Sequence, residues 1–136
     1  MRRDECDANY ALRPEAIDMK LSALTPTLWT DNVPATMAFY RDTLGFRCAS
    51  QMEGWACLER DGVELMISSP NQHEPYERPQ FTGSFYFRVD DVNAWWVQLK
   101  DKAVTVYPIE TFDYGMREFA IRDNNGYILQ FGSEVE

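Results

Sequence analysis

Leu24-Thr25-Pro26-Thr27-Leu28-Trp29-Thr30-Asp31-Asn32-Val33 has a counterpart 59 positions later, Gly83-Ser84-Phe85-Tyr86-Phe87-Arg88-Val89-Asp90-Asp91-Val92. Each is a short run rich in β-branched and aromatic residues, closed by an acidic or amide pair and a valine. Such runs are strand-like, and Asp or Asn in the closing position suits a helix N-cap. A helical pattern follows each. Val33, Met37, Tyr40 and Leu44 fall at helical spacing, Pro34 sits in the first turn, where its missing N–H costs little, and Gly45 suits the left-handed position just past the helix. Val92, Trp95, Trp96 and Leu99 form the i, i+3, i+4, i+7 stripe of the second.

Three strands are predicted after each helix. In the first half they are about Arg47–Met52, Trp55–Arg60 and Val63–Ser68, with Glu53-Gly54 and Asp61-Gly62 as hairpin turns. In the second half they are about Thr105–Ile109, Glu118–Arg122 and Tyr127–Gly132, the last turn being Asp123-Asn124-Asn125-Gly126. The organisation is therefore α+β: two βαβββ modules in tandem, their curved sheets around a cleft. The boundaries read as an N-terminal extension over 1–21, a first module over 22–69, a Pro-rich connector over 70–81 and a second module over 82–136. A short helix is expected near Pro14–Ile17. The connector carries Pro70, Pro75 and Pro79 and is read as irregular.

Composition limits the function. The 136 residues are 45% hydrophobic and 26% charged, an ordinary globular balance, but 14% are aromatic. The net charge of −9, from 13 basic and 22 acidic residues, disfavours nucleic-acid binding. No apolar run approaches the ~20 residues of a membrane span, and the charged start lacks the apolar core of a signal peptide. Three sparse cysteines, Cys6, Cys48 and Cys57, read as reduced thiols of a cytoplasmic protein. No dinucleotide or phosphate loop occurs. One histidine, His73, lies in the connector and reads as a solvated loop residue.

Two segments resemble a known family. Asp31-Asn32-Val33, Phe39-Tyr40-Arg41 and Leu44-Gly45-Phe46 resemble the first-helix signature of the vicinal oxygen chelate superfamily. Arg122-Asp123-Asn124-Asn125-Gly126-Tyr127-Ile128-Leu129-Gln130-Phe131 resembles its last hairpin. That superfamily contains glyoxalase I, extradiol dioxygenases, fosfomycin-resistance enzymes and bleomycin-resistance proteins. The resemblance implies homodimers and, in the enzymes, a divalent metal held by one residue on the first and one on the last strand of each module, typically His, Glu or Gln. Mapped through the repeat, those positions are Thr25, Met66, Ser84 and Gln130, with Glu64 two residues from Met66 on the same strand face. Divalent cations favour carboxylate, imidazole or thiolate donors, so no metal and no cofactor is expected.

The resemblance then implies a small-molecule ligand, as in the metal-free bleomycin-resistance type. The acidic charge suits a cationic ligand and the aromatic supply a planar one. The expected ligand-binding residues are Trp29, Trp55, Met66, Phe85, Tyr114 and Gln130; Phe87, Tyr107 and Phe112 are further aromatics near the cleft, whereas Trp95 and Trp96 are assigned to core or interface. The alternative is a metal-dependent lyase, isomerase or dioxygenase. For it Glu64, Gln130, Tyr114 and Glu118 are the residues to suspect, and Glu110, Asp113 and Arg117 sit on a Pro108–Arg117 loop able to act as a lid.

Overall fold

The computed structural model describes residues 19–135. The helix expected near Pro14–Ile17, and Cys6, lie outside them. The first module consists of β1 (Thr27–Trp29), α1 (Val33–Leu44), β2 (Arg47–Met52), β3 (Trp55–Arg60) and β4 (Val63–Ser68). The second consists of β5 (Phe85–Arg88), α2 (Val92–Leu99), β6 (Val104–Thr111), β7 (Met116–Arg122) and β8 (Ile128–Glu134). Each module folds into one four-stranded mixed sheet, in the orders β1-β4-β3-β2 and β5-β8-β7-β6. The crossover helix makes the first and last strand of each module parallel, and the hairpins make the rest antiparallel.

Local chemistry places the helices. Asn32 caps α1 through its side-chain oxygen, which accepts from the Ala35 amide at 2.9 Å. Gly45 ends it with φ +72°, a conformation open to glycine at little cost. Asp91 caps α2 in the same way, accepting from the Ala94 amide at 3.1 Å.

The two helix-facing sheet surfaces share one core. It includes Tyr40, Leu44, Leu58 and Ile67 from the first module and Leu99, Phe119, Leu129 and Phe131 from the second. Trp95 stacks on Phe131 and Trp96 packs on Phe119, with ring centroids 5.3 and 5.1 Å apart. The Arg60 guanidinium, reaching from the first module, lies 4.5 Å over Trp95 and donates to the Leu44 carbonyl at 2.6 Å.

The Asp123–Gly126 turn stitches the modules together. The Tyr40 hydroxyl donates to Asp123 Oδ2 at 2.8 Å, and Asp123 Oδ1 accepts the Asn125 and Tyr127 amides. The Asn124 amide donates to Thr36 at 3.0 Å, and the Tyr127 hydroxyl donates to the Trp29 carbonyl at 2.7 Å. The last-hairpin motif is thus also the bolt between the modules.

The expected Pro108–Arg117 loop contracts to a turn. β6 runs to Thr111 and β7 starts at Met116, which leaves four connecting residues. Pro108 is accommodated inside β6 because the β6–β7 ladder shifts register between Tyr107 and Glu110, so its missing N–H breaks no regular pair. Arg117 is tied down by hydrogen bonds to Asn93 and Thr111 and does not ride on a lid. No helix among the described residues is long and apolar enough to cross a membrane.

Candidate ligand-binding site

Strand alternation gives each sheet a core face and an open face. On the first sheet Leu65 and Ile67 are buried, so Glu64, Met66 and Ser68 line the open face of β4. The registers align Thr27, Met66 and Cys57 in one row and Trp29, Ser68 and Trp55 in the next. Trp29 also packs edge-on against Tyr76 of the connector at 5.8 Å. Trp29, Trp55 and Met66 are therefore neighbours on one surface. His73 is exposed, and its backbone amide donates to Asn71.

On the second sheet the open face is polar and aromatic. One row runs Tyr86, Gln130, Ala120, Tyr107; the next has Arg88, Gly132, Glu118 and Glu110. The small residues make room for the large ones. Across Ala120 the Gln130 amide nitrogen donates to the Tyr107 hydroxyl at 2.7 Å. The Gln130 amide oxygen accepts from the Ser84 hydroxyl. Beside Gly132 the Tyr86 hydroxyl donates to Glu118 Oε2 at 2.5 Å.

Glu118 is the centre of this network, with 3% of its surface exposed. Its Oε1 accepts from the Tyr107 hydroxyl at 3.2 Å and also from the Tyr114 hydroxyl. Three phenols on three different segments converge on one carboxylate. The phenols respond accordingly. The hydrogen bond to Glu118 pushes Tyr114 up to about 12. Burial, reinforced by Glu118, raises Tyr86 further. Burial also raises Tyr107. A buried carboxylate stabilised by dipoles alone forms weaker contacts than one paired with a cation. Among the described residues no cationic side chain bonds to it: Arg88, in the same row beyond Gly132, instead pairs with Glu134 at 3.7 Å.

The expected residue Phe85 lies on the other side of its strand. It stacks on Phe81 at 4.6 Å and packs against the core, whereas Tyr86 points to the open face with Gln130. Tyr86 is not among the ligand-binding residues expected from the sequence, although strict alternation from Ser84 puts both on one strand face. Phe87 likewise stacks on Phe131 in the core. Tyr114 stacks on Phe112 at 5.3 Å on the β6–β7 turn, and Phe112 meets Tyr107 edge-on at 5.8 Å. A cavity of about 360 Å³ opens where β1 and β5 approach; Pro26, Glu64, Ser84 and Tyr86 are among its lining residues.

The family model described as "Glyoxalase/Bleomycin resistance protein/Dioxygenase superfamily" matches residues 21–131. The chain belongs to that superfamily. Solved structures similar to it include TioX from Micromonospora sp. ML1, 20% identical with a TM-score of 0.66, covering 85% of this chain and 98% of that one. A glyoxalase/bleomycin resistance protein/dioxygenase from Nocardioides is 18% identical with a TM-score of 0.69, covering 90% and 89%. A lactoylglutathione lyase from Agrobacterium tumefaciens is 21% identical with a TM-score of 0.64, covering 83% and 94%. These likenesses establish the glyoxalase fold. A search of the curated proteins finds no sequence match.

Within the superfamily fold, the two parallel ladders are equivalent. Thr27 pairs with Met66 as Tyr86 pairs with Gln130, so Thr25 and Ser84 occupy matching places just before β1 and β5. Ser84 and Gln130 are joined by their hydrogen bond; Met66 lies beside β1, its amide donating to the Pro26 carbonyl at 2.8 Å. Two hydroxyls, a thioether and an amide whose oxygen already accepts a hydrogen bond are poor donors for a divalent cation. This donor set does not fit the superfamily's metal. Exchanging Met66 for its neighbour Glu64 adds one carboxylate and still leaves no imidazole or thiolate.

Proposed function

We propose that this protein binds or sequesters a small organic molecule, cationic or planar aromatic in character, without using a catalytic metal. The observation that carries the reading is the convergence of Tyr86, Tyr107 and Tyr114 on Glu118, next to Gln130. Such a site offers flat π faces and a negative pole, and the net charge of −9 draws cations toward it. The donor chemistry at Thr25, Met66, Ser84 and Gln130 supports the metal-free half of the proposal. Proposed with it is a homodimer, a second copy covering part of the open sheet faces.

A thermal-shift screen with cationic glycopeptides of the bleomycin type and with planar aromatics tests the reading. A ligand at a hundredfold excess over its Kd stabilises the native state by about 2.7 kcal/mol, a clear rise in Tm. Flat melting curves with every compound would remove the proposal.

A second reading, an enzyme of the superfamily, is favoured by one observation: Glu64 lines the same cavity as Ser84 and Tyr86. Stoichiometric uptake of Zn, Ni, Mn or Fe by the purified protein, lost in Glu64→Gln, would establish it in place of the first.

A further inference from the structure

The three phenols on Glu118 differ in how they are held. Tyr86 is wedged over Gly132, where a β-carbon would come within 1.9 Å of its hydroxyl oxygen. The Tyr107 hydroxyl is fixed from two sides, by Glu118 and by the Gln130 amide. Tyr114 is 60% exposed and rides on the four-residue β6–β7 turn. Among the described residues its ring has one aromatic neighbour, Phe112. Its hydroxyl occupies Oε1 of a carboxylate that is otherwise sealed from water.

We propose that Tyr114 is a displaceable cap on Glu118, and that the ligand is an arylalkyl ammonium whose N–H takes the place of the Tyr114 hydroxyl on Oε1. This deepens the binding reading above and rests on it. An ammonium donor gives the buried carboxylate what the phenol does not, a full positive charge in hydrogen-bond contact. Tyr86 and Tyr107 stay in place and hold the carboxylate in position. The freed Tyr114 ring, with Phe112, closes against the aryl group or lies over the cation. The proposal sets an order of preference. Primary and secondary ammonium ions rank above quaternary ones, which have no N–H, and neutral isosteres rank lowest.

The test is an NMR titration of the full chain with phenethylammonium, its trimethylammonium analogue and phenethyl alcohol, repeated on Tyr114→Phe and Glu118→Gln. Tyr114→Phe deletes only the competing hydroxyl, so phenethylammonium is expected to bind about five- to tenfold tighter, the worth of one removed hydrogen bond. Glu118→Gln keeps the shape and removes the charge, so the preference for phenethylammonium over the alcohol is expected to vanish. Circular dichroism establishes that both variants are folded. Unchanged or weaker ammonium binding in Tyr114→Phe overturns the cap, as does wild-type protein that binds alcohol and ammonium alike; that second result leaves the general binding reading standing. No binding of any probe, aromatic alcohol included, overturns both.

Discussion

Gly132 lies directly under the phenolic oxygen of Tyr86: a β-carbon at position 132 would sit 1.9 Å from that oxygen and 2.7 Å from the ring carbon that bears it. The Glu118 network is built on this missing side chain. Gly132→Ala is expected to drive Tyr86 off Glu118 at a cost of about 1–3 kcal/mol, the range for overpacking a tight site. In a Tyr86→Ala background the same substitution should cost much less. A double-mutant cycle on urea midpoints measures this coupling, and additive costs would refute it.

Tyr40 is fully buried, and its hydroxyl donates to Asp123 at the bolt between the modules. Tyr40→Phe leaves the ring's packing intact and strands one oxygen of a buried carboxylate. The expected loss is about 1–3 kcal/mol, read as a lower urea midpoint with an unchanged slope. Ligand binding at Glu118, on the opposite sheet face, should be unaffected.

The phenols define an alkaline limit. Tyr86, Tyr107 and Tyr114 all titrate above the ordinary tyrosine value in the folded protein, Tyr114 at about 12. A group whose folded pKa is raised contributes stability that is complete below its unfolded pKa, about 10 for tyrosine, and is lost as pH rises through the folded value. The urea midpoint should therefore carry no loss from these phenols up to about pH 10 and decline above it, the Tyr114 share being lost as pH rises to about 12. Glu118→Gln replaces the charged acceptor with a neutral amide, so an ultraviolet phenolate titration of that variant should show Tyr114 ionising closer to 10. An unchanged titration would mean that Glu118 is not what raises it.

The donor set at Thr25, Met66, Ser84 and Gln130 predicts weak metal affinity. Protein soaked in Zn, Ni, Mn or Fe and then desalted should retain well below one equivalent by elemental analysis. Its Tm should be indifferent to a chelator, since a metal that binds the native state would raise it by mass action. Full retention would contradict the donor chemistry.

Much of the fold was legible along the chain because it is written in local physics. Asn32 and Asp91 at helix starts, Gly45 at a helix end and glycine turns between alternating strands each act over a few residues, and the repeat writes them twice. The Pro108–Arg117 stretch misread as a loop shows where that fails: Pro108 argues against a strand locally, but a register shift against β7 absorbs it, and that shift exists only between strands.

The candidate site divides the same way. The sequence by itself determined the family, the poor metal donors at the four mapped positions and the supply of aromatics and acids. Only the tertiary structure decided which of them meet. Tyr86, Tyr107, Tyr114 and Glu118 come from β5, β6, the β6–β7 turn and β7, and strand pairing alone brings their hydroxyls to one carboxylate. Their meeting depends on Ala120 and Gly132, whose small size leaves the space across which the larger side chains reach.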